Sequence, residues 1–421
     1  MQMSRRAFMA ASAAAVTALA PARALGANER VRVGVLGVRN RGNQVADSLN
    51  ATGMCDVAVF CDCDRASYDT GMEKSGKNFA APPVFVQDFR HVLDDKDIDA
   101  VVVAAPDHWH GLMTVMALEA GKHVYVEKPA SHNIRDGKAM VAAAQARPEL
   151  VVQVGTQQRS GAHFQEARDF IKSGKLGTIG FVRTWITHRR ATLKKVPDTA
   201  PPATMDYELW VGPAPFRPYN PEMCHYNWHF VRDYGTGEMG NWGAHWIDIA
   251  RWCLDLDLPT AVTGMGGQYV VKDAKETPDT QTALYQFPGL TVLWEQRLWT
   301  NFKLNGEGSG VEFGGEEGSL VLSRGGWTFH PREGRPEKHG GTEIEGPHAV
   351  NFVESIQGKS KPAAPVVEGH KTAAMCHLAN IAAQVNGRIE FDPSAQVIVN
   401  HPEAAALSGR DNRAPWPQFK A

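Results

Sequence analysis

At 421 residues the chain exceeds one ordinary domain, and its length predicts about two or three. A composition of 43% hydrophobic and 21% charged residues excludes a disordered chain. The net charge of -2, with no basic block, leaves no phosphate footprint for a nucleic-acid partner.

The first residues read as an address. Ser4-Arg5-Arg6-Ala7-Phe8-Met9 is a twin-arginine pattern, and an apolar run follows from Ala7 to Ala20. That run is shorter than the roughly 20 residues of a membrane span, and Pro21 closes it. Residues 1–27 are therefore expected to be a signal peptide, cut after Ala24 or Ala27. The mature protein is expected in the periplasm, without stable membrane insertion.

Residues 28–152 carry the pattern of a Rossmann dinucleotide-binding domain. Val31 to Leu36 is a β-branched strand that runs into Gly37-Val38-Arg39-Asn40-Arg41-Gly42 and then a helix, Gln44 to Leu49. A dinucleotide fingerprint places glycine at the first, third and sixth positions of this turn. Gly37 and Gly42 fit, and Arg39 stands where the middle glycine belongs. Its side chain either swings out or replaces close backbone approach to the pyrophosphate with a charged contact, with Asn40 and Arg41 beside it. The next strand, Val57 to Asp62, ends on an acid 25 residues beyond Gly37 (62 − 37). A carboxylate about 20 residues on accepts from the adenosine ribose hydroxyls and repels a 2′-phosphate, so Asp62 favours NAD; nearby Arg65 keeps NADP open.

A third strand, Asp99 to Ala105, leads into Pro106-Asp107-His108-Trp109-His110. A fourth, His123 to Val126, ends in Glu127-Lys128-Pro129, and a fifth ends before Thr156-Gln157-Gln158-Arg159. Ligands of open α/β sheets sit beyond the carboxyl ends of strands, which places Pro106, His110, Glu127, Lys128 and Gln157 at the crevice. His108 and His110 alternate without cysteines or convincing acids nearby, a poor metal motif, so no metal is expected. Beyond the cytoplasm there is no nicotinamide pool to exchange with, so an exported enzyme of this kind must hold its cofactor tightly.

Residues 153–394 change character. Strand-like, aromatic-rich segments beside Gly-rich turns (Thr178 to Arg190, Ala261 to Val271, Thr282 to Phe287, Leu290 to Trp299, Val311 to Gly314, Ser319 to Ser323, Trp327 to His330) predict an open, mostly antiparallel sheet with helices on one face. Between Ile186 and Asp233 lies a long irregular stretch, too aromatic for disorder. It runs into Trp228, Tyr234 and a Gly-rich segment leading to Asn241-Trp242-Gly243-Ala244-His245 and Asp248. On a helix starting at Asn241, that amide and His245 share a face, with Asp248 one turn on. The eleven tryptophans, most of them after Lys128, suit a carbohydrate, because aromatic faces stack on sugar C–H surfaces. Residues 395–421, with Trp416 and Phe419, are expected to pack on the body or a neighbour. The six cysteines show no spacing that demands a disulfide.

Taken together, four marks resemble the Gfo/Idh/MocA superfamily (glucose–fructose oxidoreductase, inositol dehydrogenase and relatives). They are Pro106 to His110, Ala120 to Pro129, Val154 to Ser160, and the Gly-rich run ending in His245. The resemblance implies that Lys128 sits beside the nicotinamide and the substrate hydroxyl, and that His245 shares proton transfer with it. Asn241 stands where aspartate is frequent in the superfamily. An amide cannot raise the imidazole's basicity, and Asp248 is the candidate for the missing carboxylate. Trp228, Trp242 and Tyr234 are candidates to stack on the sugar, with His110, Asn241 and Asp248 around it. The resemblance also implies a dimer or tetramer built on the open sheet. The expected activity is hydride transfer between tightly held NAD(P) and a secondary hydroxyl or ketone of a sugar, polyol or glycoside. Two alternatives stay open: a redox-neutral glycoside hydrolase that oxidises, eliminates, adds water and reduces at the same site, and a non-catalytic sugar- or nucleotide-binding protein.

Overall fold

The computed structural model describes residues 30–419; the twin-arginine segment lies outside them. Six short strands form the first sheet: β1 (Val31–Leu36), β2 (Cys55–Cys61), β3 (Val84–Val86), β4 (Ala100–Val103), β5 (His123–Val126) and β6 (Val152–Val154). Their order is β3-β2-β1-β4-β5-β6, and every pairing is parallel. Burial on both faces explains their unbroken apolar character: all four residues of β4 and of β5 are buried. The exception is β3, a half-exposed edge strand whose three residues carry too little pattern to be read from sequence. In this strand order the chain reverses direction between β1 and β4, and the crevice opens there, at the carboxyl ends.

The second sheet has ten strands: β7 (Ile179–Thr187), β8 (Ala261–Gly267), β9 (Thr280–Phe287), β10 (Leu290–Arg297), β11 (Ser309–Gly315), β12 (Gly318–Ser323), β13 (Gly326–Pro331), β14 (Glu337–Gly340), β15 (Arg388–Asp392) and β16 (Val397–Ile398). The order is β14-β13-β12-β11-β7-β10-β9-β8-β15-β16, antiparallel throughout except for the central β7–β10 pair. In β9 buried and open positions alternate residue by residue, as expected of a sheet with one covered face. The cover comes from helices Ala162–Lys172, Ala244–Leu254 and Val366–Gln384, whose Phe164, Ile247 and Leu378 share one core with Val182, Tyr285 and Trp294 of the sheet.

The chain then returns to the first domain. Ala349 and Phe352, on helix Glu345–Ile356, pack with Val31, Val33 and Tyr125. Ala364, Val366 and Ala373 join Val152 and Val154. Still later, Trp416 stacks on Phe89 at 6.1 Å and meets Trp109 edge-on at 4.8 Å. Among the described residues no helix is long and apolar enough to cross a membrane, and all six cysteines are free thiols.

Candidate active site

The Gly37–Gly42 turn is built from close backbone contacts. Gly37 has φ of +90°, and a Cβ there would lie 2.7 Å from the Ala104 carbonyl oxygen. At Gly42 a Cβ would lie 1.9 Å from the Gly37 carbonyl oxygen, which no L-residue tolerates without moving the turn. Gly42→Ala is therefore expected to lower the fraction of purified protein that carries cofactor by roughly tenfold, the size of about 1.4 kcal/mol of displaced backbone; cofactor released on denaturation measures it. The helix after the turn starts at Arg41, three residues earlier than the sequence pattern suggests, so its free N–H groups lie close to the turn. Asp62 is fixed beside it, Oδ2 accepting from Val38 N–H and Oδ1 from Asp64 N–H, each at 3.0 Å. Burial pushes its carboxyl up to about 6. Oδ1 also accepts from the Cys63 thiol at 3.9 Å, and Oδ2 keeps a second lone pair for a ribose hydroxyl.

From this turn a cavity of about 560 Å³ runs to the second domain. Arg39, Asn40, Arg41, Asp62, Pro106 and His110 line it from the first sheet's turns, and Glu127, Lys128, Trp228, His229 and Asn241 complete its wall toward the second domain. A glycine cradle, a helix start, a ribose-height carboxylate and a through-going crevice fit a dinucleotide. Arg41 does not reach outward: its Nε lies 2.8 Å from Glu127 and its terminal nitrogen 2.8 Å from Glu345, which also accepts from Gln157 at 2.9 Å. Gln157 is thereby held away from the cavity wall.

Lys128 is the centre of the far end. Its Nζ donates to the side-chain Oδ1 of Asn241 at 2.8 Å and to the same residue's backbone carbonyl at 3.0 Å. An ammonium has three donors, so one remains. Burial lowers the Lys128 pKa, opposed at longer range by Glu127 and Asp107. A neutral amide contributes no countercharge, which is what Asn in place of Asp achieves here. Asn241→Asp is expected to move the lysine's titration, read from the pH dependence of turnover, upward by about 1–3 units.

The backbone carbonyl of Asn241 is available because Met239–Gly243 is a π turn, and the α-helix begins only at Ala244. This corrects the expectation of a regular helix from Asn241. Asn241 bonds Lys128, while the His245 ring meets Arg324. The His245 Nε2 lies 3.3 Å from Arg324, whose guanidinium also donates to Gln158 and covers the Trp242 ring at 5.0 Å. Burial, reinforced by Arg324, holds the His245 pKa well below the ordinary histidine range. Arginine only donates, so Nε2 accepts and Nδ1 carries the hydrogen, buried without a partner.

Asp248 does not supply His245 with a carboxylate. It is bound by both nitrogens of Arg159 at 2.7 Å and by Thr372 at 2.9 Å, an ion pair deep in the second domain. Tyr234 is a second correction: it is fully buried in an aromatic cluster with Trp210, its hydroxyl donating to the Pro215 carbonyl. Trp242 packs beneath Arg324, so Trp228 alone of the three aromatic candidates lines the cavity. Tyr226, His229, Arg324 and Glu345 went unnoticed in the sequence. For Arg324 the available signal was its place between Ser323 and a Gly-Gly pair, the tip of a hairpin.

Residues 31–156 match the family model for an oxidoreductase family with an NAD-binding Rossmann fold (GFO_IDH_MocA), and residues 175–279 and 343–418 match that of its C-terminal alpha/beta domain. A glycosyl hydrolase family 109 protein of Solibacter usitatus is 30% identical over 133 residues, 30% of each chain. Inositol 2-dehydrogenase of Salmonella typhimurium is 25% identical over 148 residues, 35% of this chain and 43% of that one. The match thus spans less than half the length of these curated relatives. Among solved structures, the WlbA dehydrogenase of Bordetella pertussis, in complex with NADH and UDP-GlcNAcA, superposes with a TM-score of 0.67 at 18% identity, covering 86% of this chain and 99% of that one. Levoglucosan dehydrogenase with NADH and levoglucosan gives 0.66 at 18%, with the same coverage. Both domain models in order, on a parallel sheet followed by an antiparallel one, place the chain in the Gfo/Idh/MocA family of NAD-binding oxidoreductases.

Proposed function

We propose that the protein transfers hydride between a tightly held NAD and a secondary hydroxyl or ketone of a sugar, polyol or glycoside. The observation that carries this reading is Lys128, buried at the end of the cofactor crevice with its ammonium fixed by Asn241 and one donor left over. Bound NAD supplies the hydride acceptor or donor. For oxidation, Lys128 in its neutral form keeps its two hydrogens on Asn241 and takes the hydroxyl proton at its third position, and the N–H so formed steadies the developing alkoxide. Because burial lowers its pKa, the neutral form is reached at lower pH than for an open lysine. Oxidation therefore rises with pH through that titration, whereas ketone reduction, which needs the protonated lysine, falls.

Tight retention has structural support. The loop before the π turn covers the crevice: His225 Nε2 lies 2.9 Å from Asp64, just after β2, and Asp206 N–H donates to the Cys63 carbonyl at 2.8 Å. Retention, together with the family 109 glycosyl hydrolase relative, favours a second reading: a cycle that oxidises a glycoside, eliminates the aglycone, adds water and returns the hydride. The twin-arginine pattern supports periplasmic export, and the one-sided sheet supports assembly of two or four copies.

The test is direct. Protein is denatured and released NAD is measured; an empty protein overturns the retained-cofactor reading. Incubation with p-nitrophenyl glycosides in deuterated water then separates the two activities. Aglycone release with deuterium beside the anomeric carbon identifies the hydrolytic cycle, and oxidised sugar without release identifies the dehydrogenase.

A further inference from the structure

Three histidines line the cavity that holds Lys128; one has both ring nitrogens engaged and a second is tied to the carboxylate after β2. His110 sets Nδ1 against the Pro129 carbonyl at 2.7 Å and Nε2 against the Ala105 carbonyl at 2.8 Å. His225 gives Nε2 to Asp64 at 2.9 Å. His229 differs. Its Nδ1 lies 2.6 Å from the Tyr226 carbonyl, and a carbonyl only accepts, so Nδ1 carries the hydrogen. The ring lies flat on Trp228, at 3.7 Å between centroids and 18° between planes, which fixes its orientation. Burial, opposed by the Tyr226 bond and assisted by Lys128, pushes its pKa down to about 3, so the ring is neutral at physiological pH. A neutral imidazole with its one hydrogen committed offers only a lone pair at the other nitrogen. That Nε2 has no partner within the chain, and it is absent from the buried unpartnered atoms, so it opens to the cavity.

The contrast with His245 is chemical. His245 has its lone pair on Arg324 and its hydrogen sealed without a partner, and it does not line the cavity. The cavity therefore sets an ammonium that donates, Lys128, near an imidazole whose open nitrogen only accepts, His229, while His225 is held on Asp64 beside β2. We propose that His229 is a specificity-determining residue that accepts a hydrogen bond from a second, free hydroxyl of the substrate, so that the site selects a diol-bearing ring over an isolated secondary alcohol. Lys128 serves the hydroxyl being oxidised, and His229 Nε2 serves the other. No covalent step is assigned to His229. An ether or a missing oxygen at the second position leaves the His229 lone pair without a donor, and the loss is felt because the bound sugar shuts water out of the site.

This inference rests on the oxidoreductase reading above, and the experiment keeps the two apart. The holoenzyme is offered methyl glycosides of common hexoses, and reduction of bound NAD is followed by absorbance. For the fastest sugar, each hydroxyl is then replaced in turn by hydrogen and by O-methyl. The native protein is expected to lose roughly tenfold or more in rate at one position other than the carbon oxidised, for both replacements alike. In His229→Gln, whose amide donates as well as accepts, the O-methyl sugar should recover relative to the parent while the deoxy sugar should not. Cofactor content, measured alongside, is expected to stay unchanged, because His229 lies at the substrate end. Reduction by the parent sugars with no sensitive second hydroxyl, or with the same sensitivity in His229→Gln, overturns the role of His229 alone. No reduction by any sugar overturns the activity, and the assignment to His229 with it.

Discussion

Lys128→Met is expected to slow hydride transfer by about 10²- to 10⁴-fold while the cofactor stays bound. Methionine keeps the length of the buried stem and removes only the ammonium, so the Asn241 contacts at 2.8 and 3.0 Å are lost and the wall of the crevice is not. The loss falls on the chemical step, because Lys128 lies at the far end of the cavity from the glycine turn and Asp62. Single-turnover reduction of bound NAD after adding sugar, with cofactor content measured on the same sample, separates the two. Full turnover in the variant would remove Lys128 from the reaction. The pH profile supplies an independent check: the rising limb of oxidation, assigned to the lowered lysine titration, should vanish in the variant.

The largest effect on stability is expected from Asp248→Asn. Arg159 and Asp248 meet through two bonds of 2.7 Å, with side chains only 4% and 1% exposed. Removing one charge leaves the other buried and unpaired, which costs about 3–5 kcal/mol. Urea unfolding followed by tryptophan fluorescence reads this, since Trp246 and Trp252 lie on the same helix as Asp248. Replacing both partners by apolar residues of similar volume, Arg159→Met with Asp248→Leu, is expected to restore much of the loss. Equal destabilisation in the single and double variants would mean that the pair's charge is not what matters.

The first domain was legible because its signals are local. Buried parallel strands leave unbroken β-branched runs, and Gly37, Gly42 and Asp62 sit at spacings dictated by one ligand. The larger sheet was legible for a different reason, the alternation along strands such as β9; its short β14, β15 and β16 went unread, as did β3 of the first sheet. The second half of the site was harder. A π turn has no sequence signature that distinguishes it from the start of a helix, so the segment from Asn241 read as regular helix, and the Arg324 that meets His245 lies far away in sequence. Asp248 looked available because its partner, Arg159, lies far away in sequence. His229 was hidden in an aromatic stretch, since its value comes from what Tyr226 and Trp228 do to its ring and not from its spacing to any other residue.

One contact bears on how the molecule is made. Trp416 fills the space against Phe89 and Trp109, so the core beneath the dinucleotide crevice is finished by a residue near the far end of the chain. Trp416 follows the second domain in sequence, so the cofactor domain is made before that domain and completed after it. Its aromatic floor stays open while the second domain is synthesised.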